Sequence, residues 1–286
     1  MKVLGSQAFW RGIVAIVVFL VLWEIGSRSK MWMAYEVFSP LREALGAMGF
    51  KKNYLPWVGA VPAPSGVVMA WVDVLGHAGY WQSWYMSFLR VIGGFAAAML
   101  IGIPFGLMLA VNRVAHGIGF PTFEVLRPIP PLAWVPASII FWPTQELAIM
   151  FITFLGAFYT IVINVVGGAK SIDVRYFHAA QSMGASRWDI FRRIVLPGTL
   201  PSIVVGSAVG MGITWEVVVA AEMISGGGSQ MGGSGGGLGF FIWNSYVGGS
   251  YEQIVVGMIS IGIAGFFSSE LLRGFGSLLT PWLKVR

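Results

Sequence analysis

Three charged side chains stand in or against apolar runs, where charge needs a purpose: Arg127, Glu216 and Glu222. An ionised group in hydrocarbon costs several kcal/mol unless it is paired or hydrated, so such residues face a wet pathway or one another. Glu216 follows Pro201 by 15 residues, roughly 22 Å along a helix. Glu222 lies six residues further on, which turns it about 120° around the helix axis, so the two carboxylates do not form an acid–base pair. Arg127 opens Arg127-Pro128-Ile129-Pro130-Pro131, a segment that cannot continue a regular helix because its prolines remove backbone donors. In a membrane a broken helix lines a cavity or packs against protein, since freed carbonyls must be satisfied. The candidates for such a wet pathway are Arg127, Pro130, Pro131, Trp134, Trp215, Glu216 and Glu222.

Other chemistry is excluded. Gly167-Gly168-Ala169-Lys170-Ser171 imitates a phosphate-binding loop but lacks Gly directly before Lys and a strand ahead of it, so no nucleotide site is encoded. His77, His116 and His178 lack ligand spacing, and there is no cysteine, so no metal site is expected. No nucleophile stands with a base, and no catalytic residue is assigned.

The elements that position these residues are membrane helices. Of 286 residues 56% are hydrophobic and 10% charged, with a mean hydropathy of +0.76, against about 25% charged in a soluble domain. The net charge of +6 is spread over loops between apolar runs, as topology signals are, and implies no nucleic acid. The first run, Ala8 to Ile25, has no small-residue cleavage site after it and reads as a retained helix. Further spans are expected at about 85–111, 118–142, 146–168, 201–223 and 252–272, giving an all-α integral membrane fold of about six helices. Residues 27–83 read as an external segment, dividing the chain into 1–83 and a core of 84–286. Eleven Lys and Arg flank one side and five the other, which places both termini in the cytoplasm.

Small residues recur at every fourth position in three spans: Ala98, Gly102, Gly106 and Ala110; Ser202, Gly206, Gly210 and Thr214; and Ser260, Ala264 and Ser268. Such stripes let helix backbones approach closely in lipid. In a two-fold assembly they and the broken third span are expected near the axis. The run Gly226 to Gly239 has no basic residue and reads as a flexible external linker, not an anion cradle.

Residues 169–200 form the longest loop on the terminal side. Asp173 is placed to cap one short helix, Gly184 to make a tight turn, and Ser186 with Asp189 to cap a second. Trp188, Phe191, Ile194 and Val195 fall on its apolar side, Leu196-Pro197-Gly198 is expected to end it, and Pro201 to open the next span. A protruding knob of this kind suits a groove on a partner or a membrane surface.

His178-Ala179-Ala180-Gln181-Ser182-Met183-Gly184-Ala185-Ser186, followed by Ile194-Val195-Leu196-Pro197, resembles the EAA loop of ATP-binding-cassette importer permeases, with His178 standing where the pattern has Glu. Pro62-Ala63-Pro64-Ser65, Arg90-Val91-Ile92-Gly93-Gly94-Phe95, the Arg127–Pro136 segment and Val219-Ala220-Ala221-Glu222-Met223 resemble the nitrate/sulfonate/taurine/bicarbonate branch. The resemblance implies a type I importer permease of the bacterial inner membrane, taking a small anion. It implies an ATPase-coupling loop at His178, Ala179, Ala180, Gly184, Ala185, Ser186, Leu196 and Pro197. It also implies partners: an ATPase carrying ATP and Mg, a second and identical permease chain, a periplasmic or lipid-anchored solute-binding protein, and membrane lipid. The competing reading is a secondary carrier or channel with Glu216 as a proton relay, which leaves the 169–200 loop unexplained.

Overall fold

Helix caps and proline breaks account for most of the element boundaries in the computed structural model of this chain, which describes residues 7–50, 55–56, 58–224 and 236–282. Lys2, Lys51, Lys52, Lys284 and Arg286 from the charge tally, and most of the Gly226–Gly239 run, lie outside the described residues. Among the described residues there is no strand. The main helices are α1 (Gln7–Ser27), α2 (Pro64–Leu75), α3 (Ala78–Val111), α4 (Arg113–Leu126), α5 (Val135–Phe141), α6 (Gln145–Lys170), α7 (Val174–Ser182), α8 (Arg187–Ile190), α9 (Leu196–Ile224), α10 (Leu238–Val247) and α11 (Tyr251–Leu279). Six stretches of the described residues are long and apolar enough to cross a membrane: Trp10–Ser27, Val58–Leu75, Ala78–Val111, Gln145–Lys170, Arg187–Ile224 and Tyr251–Leu279. The chain divides into two units, Met1–Ala78 with Ile242–Met258, and Gly79–Phe241 with Ile259–Arg286.

In the first unit α1 docks on α2 through one acid. The Glu24 carboxylate accepts hydrogen bonds from the Ser65 backbone N–H at 3.1 Å and the Ser65 hydroxyl at 2.8 Å. It thereby caps a helix whose first residue, Pro64, has no N–H to give. Arg28 Nε donates to the same carboxylate at 2.6 Å. Gly26 admits the turn Val58–Ala60, since a Cβ there would lie 2.3 Å from Val58 Cγ1. The expected external segment 27–83 therefore contains an apolar stretch of its own, Val58–Leu75.

In the second unit α6 is the centre, with α3 and α9 against it. Gly94 of α3 sits so close that a Cβ would lie 1.9 Å from Thr153 Oγ1 and 2.6 Å from the Met150 carbonyl; at Gly106 it would lie 2.9 Å from Val165 Cβ. On the α9 side, a Cβ on Gly206 would lie 2.6 Å from Asn164 Cβ, and one on Gly168 would lie 2.3 Å from Ser202 Cβ. The third stripe also faces inward: Tyr80 and Ser260 hydroxyls meet at 2.7 Å, and Trp215 Nε1 donates to Ser268 Oγ at 3.0 Å. These stripes make close contacts within one chain. In lipid a helix gains nothing from burying Leu against Leu, so backbone proximity and hydrogen bonds hold the bundle together.

The stretch 118–142 is not one span. Asn112 Oδ1 caps α4, accepting from Val114 and Ala115 N–H at 2.9 and 3.1 Å, and α4 ends at Leu126 where Pro128 and Pro130 withdraw two donors. The helical run resumes at Pro131–Trp134 and α5, too short to cross a bilayer alone.

The expected stop at Leu196-Pro197-Gly198 is absent as well. The chain passes from α8 through a π-helical turn, Phe191–Val195, directly into α9. The Leu196 N–H reaches back five residues to the Phe191 carbonyl, so the wider turn takes Pro197 into the helix, where a missing N–H is tolerated in the first turn. The Thr199 hydroxyl donates to the Val195 carbonyl at 2.7 Å.

Candidate functional site

Two clusters mark opposite ends of α6, a helix of 26 residues and so about 39 Å long. After its last residue comes the 169–200 loop. Asp173 Oδ1 accepts from the Arg175 N–H at 2.9 Å, capping α7, and its Oδ2 receives Arg175 Nε at 2.8 Å. The Arg175 side chain, and then its backbone N–H, hold the Asp173 carboxyl below the ordinary carboxylate range. Gly184 has φ +75°, and its N–H donates to the Gln181 carbonyl at 2.9 Å while Ala185 N–H donates to Ala180 at 3.0 Å. Ser186 and Asp189 form a capping box, with Asp189 N–H to Ser186 Oγ and Ser186 N–H to Asp189 Oδ2 both at 3.2 Å.

Every turn of this loop is locally fixed, and its surface sets large apolar side chains among charged ones. Met183 is 80% and Trp188 66% exposed, with Trp188 stacked on Phe191 at 5.5 Å between ring centroids. Among the residues that the resemblance assigns to coupling, His178, Ala179, Gly184 and Ser186 are exposed, Ala185, Leu196 and Pro197 are partly buried, and Ala180 is buried. Arg187, Arg192 and Arg193 are exposed beside them.

The second cluster lies where α6 begins. Arg90, twelve residues into α3, is 2% exposed and bound on two edges. Its Nε and Nη2 donate to Glu146 Oε2 and Oε1 at 2.7 and 2.5 Å, a bidentate fork. Its Nη1 donates to Glu222 Oε1 at 2.9 Å. Glu222 is fully buried and also accepts from Ser87 Oγ at 2.8 Å and Gly239 N–H at 2.9 Å. The Ser87 hydroxyl in turn accepts from the Leu238 N–H at 2.8 Å. The glycines near α10 are required by this approach: a Cβ on Gly237 would lie 2.0 Å from Glu222 Oε1, and one on Gly239 would lie 2.2 Å from the Val219 carbonyl.

The pathway candidates separate. Glu222 joins the buried cluster, whereas Glu216 is exposed on α9. Arg127 is exposed at the proline break and pairs with Glu124 at 3.4 Å, not with Glu216. Pro130 and Pro131 lead into the short run in which the buried Trp134 Nε1 has no hydrogen-bond partner. Trp215 is buried and holds Ser268. Arg90 and Glu146 do not figure among the residues the sequence assigns to a site. The signal for Arg90 is the same as for Glu216, a charge deep in an apolar helix. The signal for Glu146 is only an acid in a first helical turn, which has an ordinary explanation in the helix dipole. Among the described residues no three His, Cys, Asp or Glu are grouped to hold a metal ion.

Residues 102–285 match the family described as the inner membrane component of binding-protein-dependent transport systems. A putative ABC transporter permease protein of Methanocaldococcus jannaschii is 36% identical over 212 residues, covering 74% of this chain and 77% of that protein. The nitrate import permease protein NrtB of Leptolyngbya laminosa is 34% identical over 202 residues, covering 71% of this chain and 69% of that protein. Among solved structures, a chain of a bacterial ABC transporter involved in the import of the acidic polysaccharide alginate superposes with a TM-score of 0.57 at 13% identity, covering 96% of this chain and all of that one. At that identity the likeness is one of fold.

Proposed function

The chain belongs to the family of inner membrane components of binding-protein-dependent transport systems, and on that premise we propose that it couples a separate ATPase to the import of a small anion. The ATPase docks on residues 169–200. What supports this docking site is the pairing of a locally fixed backbone, capped at Asp173 and Ser186 and turned at Gly184, with exposed Met183 and Trp188. A coupling element must transmit force without yielding and must offer apolar surface to a groove. ATP and Mg belong to the partner, in keeping with the lack of a phosphate-binding loop here.

The complex contains two identical permease chains, two ATPases and a periplasmic or lipid-anchored binding protein. Both termini and the 169–200 loop face the cytoplasm. Residues 84–286 form the working core, and 1–83 add a membrane helix and a segment on the outer side. Arg127, Pro130, Pro131, Trp134, Trp215 and Glu216 flank the pathway, with Glu222 at its outer end. The substrate class, nitrate, bicarbonate, sulfonate or taurine, is supported by the sequence resemblance and by a relative named for nitrate import. Co-expression with the ATPase and native mass spectrometry in mild detergent test the assembly. Two permease chains with two ATPases are expected, and a stable complex with a single permease chain would refute it.

A further inference from the structure

Arg90 holds two carboxylates of unequal standing. Glu222 is sealed in and bound by Arg90, Ser87 and the Gly239 N–H. Glu146 is bound by Arg90 alone through both oxygens, and its side chain is 46% exposed. Two acids facing one cation are tolerated because two helix N-termini converge there: Glu146 lies in the first turn of α6, and the α10 start points its N–H at Glu222. If Glu146 swings out, solvent hydrates it, while Arg90 and Glu222 remain a neutral buried pair. If Glu222 left, a buried charge would lose its partner. Only one of the two bonds is cheap to open.

We propose that the Nε/Nη2 edge of Arg90 is a binding site for a small oxyanion, with the Glu146 carboxylate as its built-in, displaceable occupant. The fork already holds two coplanar oxygens at hydrogen-bond distance, which is the shape of a carboxylate, nitrate or bicarbonate. An incoming anion replaces the Glu146 carboxylate with no change in the cluster's net charge. Glu146 competes as a tethered ligand, so the apparent affinity of a free anion is lowered by the fraction of time the fork is taken. That makes it a selectivity device at the end of the bundle opposite the 169–200 loop, where substrate would enter. The role in import rests on the reading given above; the site itself does not.

The test is chemical rescue on the full-length chain in nanodiscs, read as thermal midpoint at fixed ionic strength with sodium formate or sodium nitrate replacing sodium chloride. Glu146→Ala should unfold at a lower temperature and be restored saturably by both anions. The wild type should saturate only at concentrations about ten-fold higher or more. Glu146→Gln guards against an Ala-specific folding defect and should behave alike, whereas Glu146→Ala with Arg90→Lys should show no saturable response. Equal responses to chloride and formate, or no response in the wild type at any concentration, would overturn the proposal. Anion import by the whole complex with no rescue would sink the site and leave the transport reading standing. Rescue without anion import would do the reverse.

Discussion

Arg90 and Glu222, 132 positions apart in the chain, meet at 2.9 Å with neither side chain more than 2% exposed. The contact fixes where α3, α9 and the start of α10 stand relative to one another, and Glu146 adds α6. Removing Glu222 leaves a buried guanidinium short of a partner and two donors, Ser87 Oγ and Gly239 N–H, without their acceptor. Glu222→Ala is expected to destabilise the protein by about 3–5 kcal/mol, seen as a sharp loss of folded material in fluorescence size-exclusion profiles. Glu222→Gln keeps the shape and should cost less.

Glycine substitutions separate close packing from mere helix propensity. Gly168 and Gly167 are neighbours on α6, yet a Cβ on Gly168 would strike Ser202 at 2.3 Å and one on Gly167 meets nothing within 4 Å. Gly168→Ala should cost about 1–3 kcal/mol by overpacking, and Gly167→Ala should be neutral or stabilising by up to about 1 kcal/mol. Thermal midpoints of the two purified variants decide it.

Gly239→Ala tests how α10 is seated. Its Cβ would lie 2.2 Å from the Val219 carbonyl, a backbone atom that cannot step aside. The start of α10 must then retreat, and Glu222 loses the N–H it accepts. Hydrogen exchange at Leu238 and Gly239 should rise by an order of magnitude or more, an opening worth about 1.4 kcal/mol per decade. Unchanged protection there would show that α10 is held by something else.

Much of this was legible in the sequence. Asp173, Gly184, Ser186 and Asp189 take the capping and turn roles that their spacing predicts, because such motifs depend on neighbours within four residues. The proline break after Arg127 is local too. The buried cluster was not legible, since Arg90, Glu146 and Glu222 come together only through the crossing of three helices. That Glu222 is sealed in while Glu216 is exposed was not legible either, because depth along a helix says nothing about which side faces the protein. The helix that runs unbroken through Leu196-Pro197 depends on a π turn, which no propensity announces.

The Asp173 cap gives the 169–200 loop a defined pH range. Its carboxyl titrates below its ordinary value because Arg175 hydrogen-bonds the charged form. The stabilisation it contributes is therefore complete above the unfolded value, near 3.9, and disappears as pH falls through the lower folded value. ATPase co-purification should be flat from about pH 6 to 8 and unaffected by protonation of this cap. A midpoint within that range would assign the loop's integrity to another group.

The central claim, that a 169–200 loop with a fixed backbone and exposed Met183 and Trp188 couples ATP hydrolysis to transport, meets its most direct test in Gly184→Val. Nothing crowds a Cβ at Gly184, so the change strains only the turn's φ of +75°, by about 1–2 kcal/mol, and leaves the membrane helices alone. The measurement is ATP-driven uptake of labelled nitrate or bicarbonate into proteoliposomes holding the complex and its binding protein. Wild type is expected to take up anion only with ATP. Gly184→Val should insert at an abundance within about twofold of wild type and transport at a tenth or less, as expected when a misplaced contact costs 1.4 kcal/mol or more of coupling. Full uptake by Gly184→Val, or wild-type uptake that ignores ATP, would contradict the account.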